Sequence, residues 1–279
     1  MHVLFVAPEF PHYQKQFVRA LATVGARVTG IGEADVNYLP NDLKGWLDGY
    51  EQVRSVCDEE SVLAAVRRVQ RREWVDRLEA TIESHILPVA RVREASGIPG
   101  LSVRTAILCR DKPEMKEFLR AAGIPCARST AIDSVADAQQ FIREVGYPVI
   151  LKPRAAAGAS GTWRADDDAG LARALADLQV DQGRSAAIEE FIEGHEGFYD
   201  TMSIGGEVAH EFISHYYPNV LDAMRNRWIS PQIISTNRID APGYAGLKAL
   251  GQEVITALGI GTAATHMEWF VGPRGLKFS

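Results

Sequence analysis

Apolar positions along the first hundred residues alternate between two periods. Residues 2–7 are a short apolar run of the kind found in buried strands, and a second strand is expected at 27–31. Residues 13–24 instead have apolar side chains at helical spacing, and Gly25 follows as a stop signal. Further strands are expected at 51–56 and 76–83, and helices at 59–72 and 87–95. Alternation of strands and helices favours a parallel, doubly wound sheet.

A turn-rich break at 96–100 separates this region from a differently patterned second half. Asp111 is a candidate N-cap for a helix over 111–122, which Gly123 and Pro125 end. From Phe198 onward, antiparallel strand patterns surround one helix. The remaining predicted elements are strands at 129–132, 147–152 and 186–191 and helices at 134–144, 166–178 and 244–258. The chain is therefore predicted to be an α/β protein of at least two parts.

Composition narrows the class of protein. The 279 residues have a net charge of −6 and 46% hydrophobic content, which argues against disorder and against a nucleic-acid partner. No apolar run reaches the ~18–20 residues of a membrane span. The first residues lack the charged start of a signal peptide. Three widely spaced cysteines (Cys57, Cys109, Cys126) indicate a reducing compartment, so a cytoplasmic protein without a membrane partner is predicted.

Two familiar motifs are incomplete in this chain. Gly30 and Gly32 follow a strand, but Asp35 stands where a dinucleotide fingerprint needs its third glycine. His210 and His215 lie five residues apart, and the zinc-protease pattern needs four so that both share a helix face. Nicotinamide and zinc sites are therefore not expected.

The segment around Lys152 points to phosphate chemistry. An apolar strand ends at this lysine, and a loop of small residues with Gly158 and Gly161 follows. Small residues let backbone N–H groups approach an anion, while a lysine supplies the charge that phosphates favour. A P-loop has its lysine after the glycines, so this spacing is different. A second lysine, Lys112, lies at the start of a predicted helix.

Carboxylates follow in two predicted strands. The strand beginning at Ile188 contains Glu189 and Glu190, and its backbone edge is suited to read the polar edge of an adenine. Near the C-terminal end, alternation places His266 and Glu268 on one strand face. A carboxylate beside phosphates is how proteins usually hold Mg²⁺.

In this order the motifs resemble the ATP-grasp superfamily, and more narrowly its biotin-carboxylase-like branch of carboxylate–amine ligases. The resemblance covers residues 98–279 well and residues 1–97 in architecture alone. It implies a Rossmann-like pre-ATP-grasp domain at 1–100, followed by a two-lobed ATP-grasp unit. The small lobe, with the phosphate loop and adenine hinge, is expected at 101–193. A partial large lobe with the first metal strand is expected at 194–279.

The resemblance also implies ATP and Mg²⁺ as cofactors and a role for each matching residue. Lys112 would touch the α-phosphate, and Lys152 would bridge the α- and β-phosphates. The loop 158–162 would be a flap closing on the β- and γ-phosphates, and Glu196 would bind the ribose. Glu268 would be the first Mg²⁺ ligand. The implied nucleotide-binding residues are Lys112, Lys152, Gly158, Ala159, Ser160, Gly161, Thr162, Glu189, Glu190, Phe191, Ile192, His195 and Glu196.

Each of these positions also has a purely structural explanation. Lys152 is equally compatible with an exposed strand end, and the glycines with a plain turn. Glu189 and Glu268 fit solvent-facing strand positions, and His266 fits a packed histidine. The resemblance further expects a second metal glutamate on the strand after Glu268, and residues 276–279 contain none. The sequence therefore predicts an incomplete unit, either a fragment or a protein that has lost the full metal site.

The function implied is ATP-dependent joining of a small carboxylate and an amine through an acylphosphate, with release of ADP and phosphate. Arg225, Arg227 and Arg238 lie in an aromatic-rich stretch and are candidates for substrate contacts, with His266 as a further catalytic candidate. Bicarbonate activation in the manner of biotin carboxylase is one alternative, and a non-catalytic nucleotide-binding module is another. Apolar faces in residues 1–100 are compatible with a homodimer.

Overall fold

The computed structural model describes residues 1–154, 161–226 and 228–279. These residues form two compact units, Met1–Ile107 (unit 1) and Leu108–Ser279 (unit 2). The sequence placed this boundary at residue 100. The expected division of the second part at residue 193 stays a prediction.

Unit 1 is built on one sheet with a core on each face. Its elements are β1 (His2–Val6), α1 (Lys15–Thr23), β2 (Arg27–Gly32), α2 (Asn41–Trp46), β3 (Gly49–Gln52), α3 (Glu59–Gln70), β4 (Arg77–Glu79) and α4 (Glu83–Ser96). All strand pairs are parallel, in the order β3-β2-β1-β4. Leu4 and Val6 pack into one core and Val3 and Phe5 into the other, which explains why β1 is apolar from Val3 to Val6. The predicted doubly wound parallel sheet is confirmed.

The structure corrects three expected elements of unit 1. The strand expected at 51–56 is Gly49–Gln52, because Val53 and Val56 are buried in the core from a connecting segment rather than from a strand. The strand expected at 76–83 is only Arg77–Glu79. The following helix begins at Glu83 instead of residue 87, and an acidic residue in the first turn is favourable there.

The chain enters unit 2 through α5 (Val103–Arg110) and then forms a small antiparallel sheet. The elements are α6 (Lys112–Ala121), β5 (Ser129–Ile132), α7 (Val135–Val145), β6 (Val149–Pro153), β7 (Trp163–Ala165), α8 (Asp168–Asp177) and β8 (Ala186–Glu190). The strand order is β5-β8-β6-β7. As predicted, the Asp111 side chain caps α6, accepting a hydrogen bond from the backbone N–H of Glu114 at 3.2 Å.

One face of the small sheet is apolar and the other is polar. Leu151 pairs with Ile188, and both pack against α7 and α8. Because side chains alternate along a strand, Lys152 on β6 and Glu189 on β8 project from the opposite face. The small sheet therefore presents charged groups away from its own core.

A larger antiparallel sheet completes unit 2. Its elements are β9 (His195–Ile204), β10 (Glu207–Tyr217), α9 (Val220–Arg225), β11 (Gln232–Ser235), α10 (Ala245–Leu258), β12 (Ala263–Gly272) and β13 (Gly275–Phe278). The strand order is β11-β10-β9-β12-β13. Trp269 on β12 and Tyr199 on β9 are buried on one face of this sheet. Among the helices described, none has the length and apolarity needed to cross a bilayer.

Candidate functional site

Both sheets of unit 2 and the segment that joins β8 to β9 line one cavity. The lining residues are Lys112, Ile150, Lys152, Thr162, Glu189, Glu190, Phe191, Ile192, Glu196, Asn219, Val220, Leu221, Asp222, Glu268, Phe270 and Ser279. Many of the residues proposed from the sequence therefore lie around one space, although they come from distant parts of the chain.

Lys152 and the buried carboxylate Glu189 line the small-sheet side of this cavity, and Lys116 lies behind Glu189. The Lys152 Nζ lies 2.6 Å from Glu189 Oε1, and the Lys116 Nζ lies 2.6 Å from Glu189 Oε2. Burial alone would raise the pKa of Glu189, but the two lysines hold it well below its usual range. Glu189 is therefore an ionised carboxylate between two cations.

Adjacent glutamates of β8 point to different surroundings. The Glu189 carboxylate pairs with Lys116 and Lys152. The Glu190 side chain instead pairs with Lys277 and with Arg274. This follows from strand alternation. The link after β8 is held by Arg274, whose guanidinium donates to the Phe191 carbonyl at 2.9 Å, and Arg164 lies 4.3 Å from the Phe191 ring centroid.

Carboxylates occupy the large-sheet wall. The register pairs Glu196 with Phe270 and Phe198 with Glu268, so both carboxylates lie on the same face of neighbouring strands. Glu196 Oε2 accepts a hydrogen bond from the Val220 N–H at 2.7 Å. Burial raises the pKa of Glu196 to about 7, and repulsion from Glu268 adds to this effect. This wall therefore brings two carboxyl groups close together in a place that disfavours the ionised form of Glu196.

His266 continues the same face of β12 beyond Glu268. Its Nδ1 lies 2.7 Å from Asp200 Oδ1, and its ring centroid lies 4.9 Å from that of Phe198. The hydrogen bond to Asp200 raises the pKa of His266. The pair is an imidazole oriented by a carboxylate, an arrangement suited to proton transfer.

His195 faces the opposite side of the large sheet from Glu196. Its Nε2 lies 2.8 Å from His215 Nδ1, and its ring packs near Tyr217 and Trp269. Alternation along β9 separates the two neighbours, so His195 is not among the described residues that line the cavity.

The other proposed residues are placed as follows. Gly161 has a left-handed backbone, with φ of 68°, and Thr162 lines the cavity. Arg225, at the end of α9, and Arg238 are exposed and are not among the described lining residues. The predicted positions Gly158, Ala159, Ser160 and Arg227 lie outside the described residues.

Two contributors were missed by the sequence analysis. Lys116 lies one helical turn after Lys112, and that spacing was a usable signal. Asn219 bridges the link and β9, because its Nδ2 donates to the Gly194 carbonyl at 2.8 Å and its Oδ1 accepts from the Glu196 N–H at 3.1 Å. No local pattern marks that asparagine.

Comparison with known proteins agrees with this geometry. Residues 111–196 match the family model described as the carbamoyl-phosphate synthase L chain, ATP binding domain. The L-arginine-specific L-amino acid ligase of Bacillus subtilis is 28% identical over 229 residues, covering 80% of this chain and 54% of the ligase. The chain thus spans about half the length of that relative.

Solved structures share the fold. The L-amino acid ligase from Bacillus licheniformis has a TM-score of 0.74 at 19% identity, covering 99% of this chain and 65% of that one. The N5-carboxyaminoimidazole synthetase from Staphylococcus aureus, complexed with ADP, also has a TM-score of 0.74, at 14% identity. The match covers 100% of this chain and 69% of the synthetase chain. The chain is therefore an α/β protein with the ATP-grasp fold, as the order of its motifs predicted, and its residues 111–196 are similar to the ATP-binding domain named above.

Proposed function

We propose that this chain binds ATP with Mg²⁺ and supplies the nucleotide-binding part of a carboxylate–amine ligase. The observation that carries the proposal is the meeting of cations and carboxylates around one cavity. Lys112 from α6 and Lys152 from β6 line it together with Glu196 from β9 and Glu268 from β12. Lysines suit phosphates, and carboxylates suit the cation that accompanies them.

The carboxylates fit a magnesium ion. Mg²⁺ is usually held by one or two carboxylates together with substrate phosphates, so Glu268 and Glu196 are a sufficient protein contribution. This assigns Glu196 to the metal ion instead of the ribose contact that the resemblance implied. Burial is the largest cause of the raised pKa of Glu196, and a cation beside this carboxyl would favour its ionised form. Within the described ranges no group of three or more His, Cys, Asp or Glu side chains is arranged to hold a metal ion. When bound, the ion would neutralise phosphate charge.

In the proposed reaction a substrate carboxylate oxygen attacks the γ-phosphorus of ATP. An O–P bond forms while the bond to the β-phosphate bridging oxygen breaks, giving an acylphosphate and ADP. An amine then attacks the acyl carbon, phosphate leaves, and the amine loses a proton. Lys112 and Lys152 would stabilise the phosphate charge, and His266 held by Asp200 would accept or hold the proton.

The proposal also includes the expectations from the sequence about substrate contacts, location and assembly. Arg225 and Arg238 stay candidates for substrate carboxylate or acylphosphate contacts. Small-molecule carboxylate and amine substrates, a cytoplasmic location and a homodimer also stay predictions.

Calorimetric titration with MgATP tests nucleotide binding. We expect the chain to bind MgATP and Lys152→Met to weaken binding by about tenfold or more, because a charge-assisted contact to phosphate is lost. Lys248→Met is the matched control, since it removes a lysine that bridges Glu211 and Asp240 and is not among the described cavity residues. Equal affinity in the chain and in Lys152→Met would contradict the proposal.

Turnover is a separate measurement. We expect ADP and phosphate release when pairs of amino acids are supplied with MgATP, and mass spectrometry identifies any amide product. Binding without release would instead support the nucleotide-binding module.

A further inference from the structure

Three charged side chains form a row that runs from the cavity into the protein: Lys152, Glu189 and Lys116. Each lysine contributes one ion pair of 2.6 Å, and each uses a different oxygen of the Glu189 carboxylate. The Lys116 side chain is 0% exposed, whereas that of Lys152 is 14% exposed. The row therefore has a fully buried end and an end that reaches the cavity.

The row of Lys116, Glu189 and Lys152 carries a net formal charge. One carboxylate between two ammonium groups leaves one positive charge in excess. Burial lowers the pKa of Lys116, while its pair with Glu189 opposes this, so the buried lysine depends on that carboxylate. Lys116 lies on α6 and is not among the described residues that line the cavity. Direct contact between Lys116 and a ligand in the cavity is therefore not expected.

The two lysines differ in the anions that their ammonium groups are able to contact. Lys152 lines the cavity and has access to another anion there, whereas among the described residues Lys116 is ion-paired with Glu189 alone. A buried carboxylate with a single cationic partner holds that partner strongly, because the alternative is an unpaired buried charge. A second cation on the other oxygen removes that penalty. Lys152 is then able to leave Glu189 at low cost.

We propose that Lys116 is a positioning residue that acts as the fixed counter-charge of Glu189, so that Lys152 can exchange Glu189 for a nucleotide phosphate. This inference rests on the proposed nucleotide binding. It gives Glu189 a different role from the adenine reading that the sequence suggested. Before a nucleotide binds, the ion pair with Glu189 holds Lys152 near the proposed phosphate position. The second ion pair, between Lys116 and Glu189, lowers the free-energy cost of releasing Lys152.

Calorimetric titration with MgADP in four variants tests the exchange. Lys116→Met leaves Glu189 with Lys152 as its only lysine partner. Releasing Lys152 would then leave a buried carboxylate unpaired, so we expect MgADP binding to weaken by about tenfold. Lys116→Arg keeps the counter-charge, and we expect its affinity to stay within about threefold of the unmodified chain. Lys248→Met, which removes an ion pair outside the described cavity lining, is expected to leave the affinity unchanged.

The double variant Lys116→Met with Glu189→Gln is decisive. Removing the carboxylate frees Lys152, so we expect the double variant to recover to within about threefold of the unmodified chain. A folded Lys116→Met variant with unchanged affinity would overturn the proposal, since a merely structural role changes stability alone. Failure of the double variant to recover would also overturn it, because Glu189 would then be contacting the nucleotide itself. Absence of MgADP binding in the unmodified chain would instead contradict the proposed function.

Discussion

Glu196 is a carboxyl group with only 6% of its residue surface exposed, and it faces a second carboxylate on the neighbouring strand. Burial is the larger cause of its raised pKa, and Glu268 and Asp222 add repulsion. One backbone N–H, from Val220, opposes these effects. The fold therefore holds this carboxyl in an environment that disfavours its ionised form.

Replacing Glu196 with Gln should change how stability depends on pH. The ordinary pKa of this carboxyl, about 4.5, applies in the unfolded chain, and burial raises its pKa to about 7 in the folded chain. The folded state therefore holds the proton more tightly, so the contribution of Glu196 to stability is present below pH 4.5 and lost as pH rises through 7. The shift corresponds to about 3 kcal/mol.

Urea denaturation at pH 5 and pH 8 measures this effect. We expect the unmodified chain to lose more stability between these values than Glu196→Gln, whose amide still accepts from Val220 but does not ionise. The same pH dependence in both proteins would show that Glu196 ionises normally in the fold.

Helix α10 supports the large sheet from the face opposite the carboxylates. Its buried side chains are Leu247, Leu250, Val254, Ile255 and Leu258. Between them, Gly251 lies directly against the ring of Tyr199 on β9, and a Cβ at this position would collide with that ring. Tyr199 is 1% exposed, so it has little room to move aside. The close approach of α10 to β9 therefore depends on this glycine.

Gly251→Ala should destabilise the protein although alanine is the better helix former. We expect the free energy of unfolding to fall by about 1–3 kcal/mol, because overpacking outweighs the gain in helix propensity. Gly246→Ala in the same helix is the matched control. Its Cβ would meet nothing within 4 Å, and we expect a gain of up to about 1 kcal/mol. Urea denaturation measures both, and a stabilised Gly251→Ala would contradict this packing.

At the scale of the whole molecule, the described cavity residues all belong to unit 2. The net charge of −6 does not prevent a phosphate site, because the lysines that face the cavity act locally. The phosphate and metal chemistry proposed for this chain therefore depends on the arrangement of a few charges, not on overall charge.

Nucleotide binding should stabilise unit 2. At a free MgADP concentration one hundred times Kd, linkage predicts about 2.7 kcal/mol of added stability. Hydrogen exchange should show added protection in β8, in the link to β9 and in β12, and removal of Mg²⁺ with EDTA should reduce it. Unchanged exchange in all three segments at saturating MgADP would contradict the location of the site.

Much of the local structure followed from the sequence alone. Strand–helix alternation predicted the parallel sheet of unit 1, and Asp111 predicted the start of α6, because periodicity and capping act between residues close in the chain. The types and order of Lys112, Lys152, Glu189 and Glu268 likewise indicated phosphate and metal chemistry.

Only the tertiary structure decided which of these groups meet. Lys116 pairs with Glu189 across 73 positions of sequence, and no local pattern encodes that contact. Packing brought His195 against His215, and burial rather than residue type raised the pKa of Glu196. The sequence thus determined the elements and the kinds of charge, since these depend on neighbouring residues. Packing decided the pairing, exposure and ionisation of those charges, because these depend on what distant segments bring into contact.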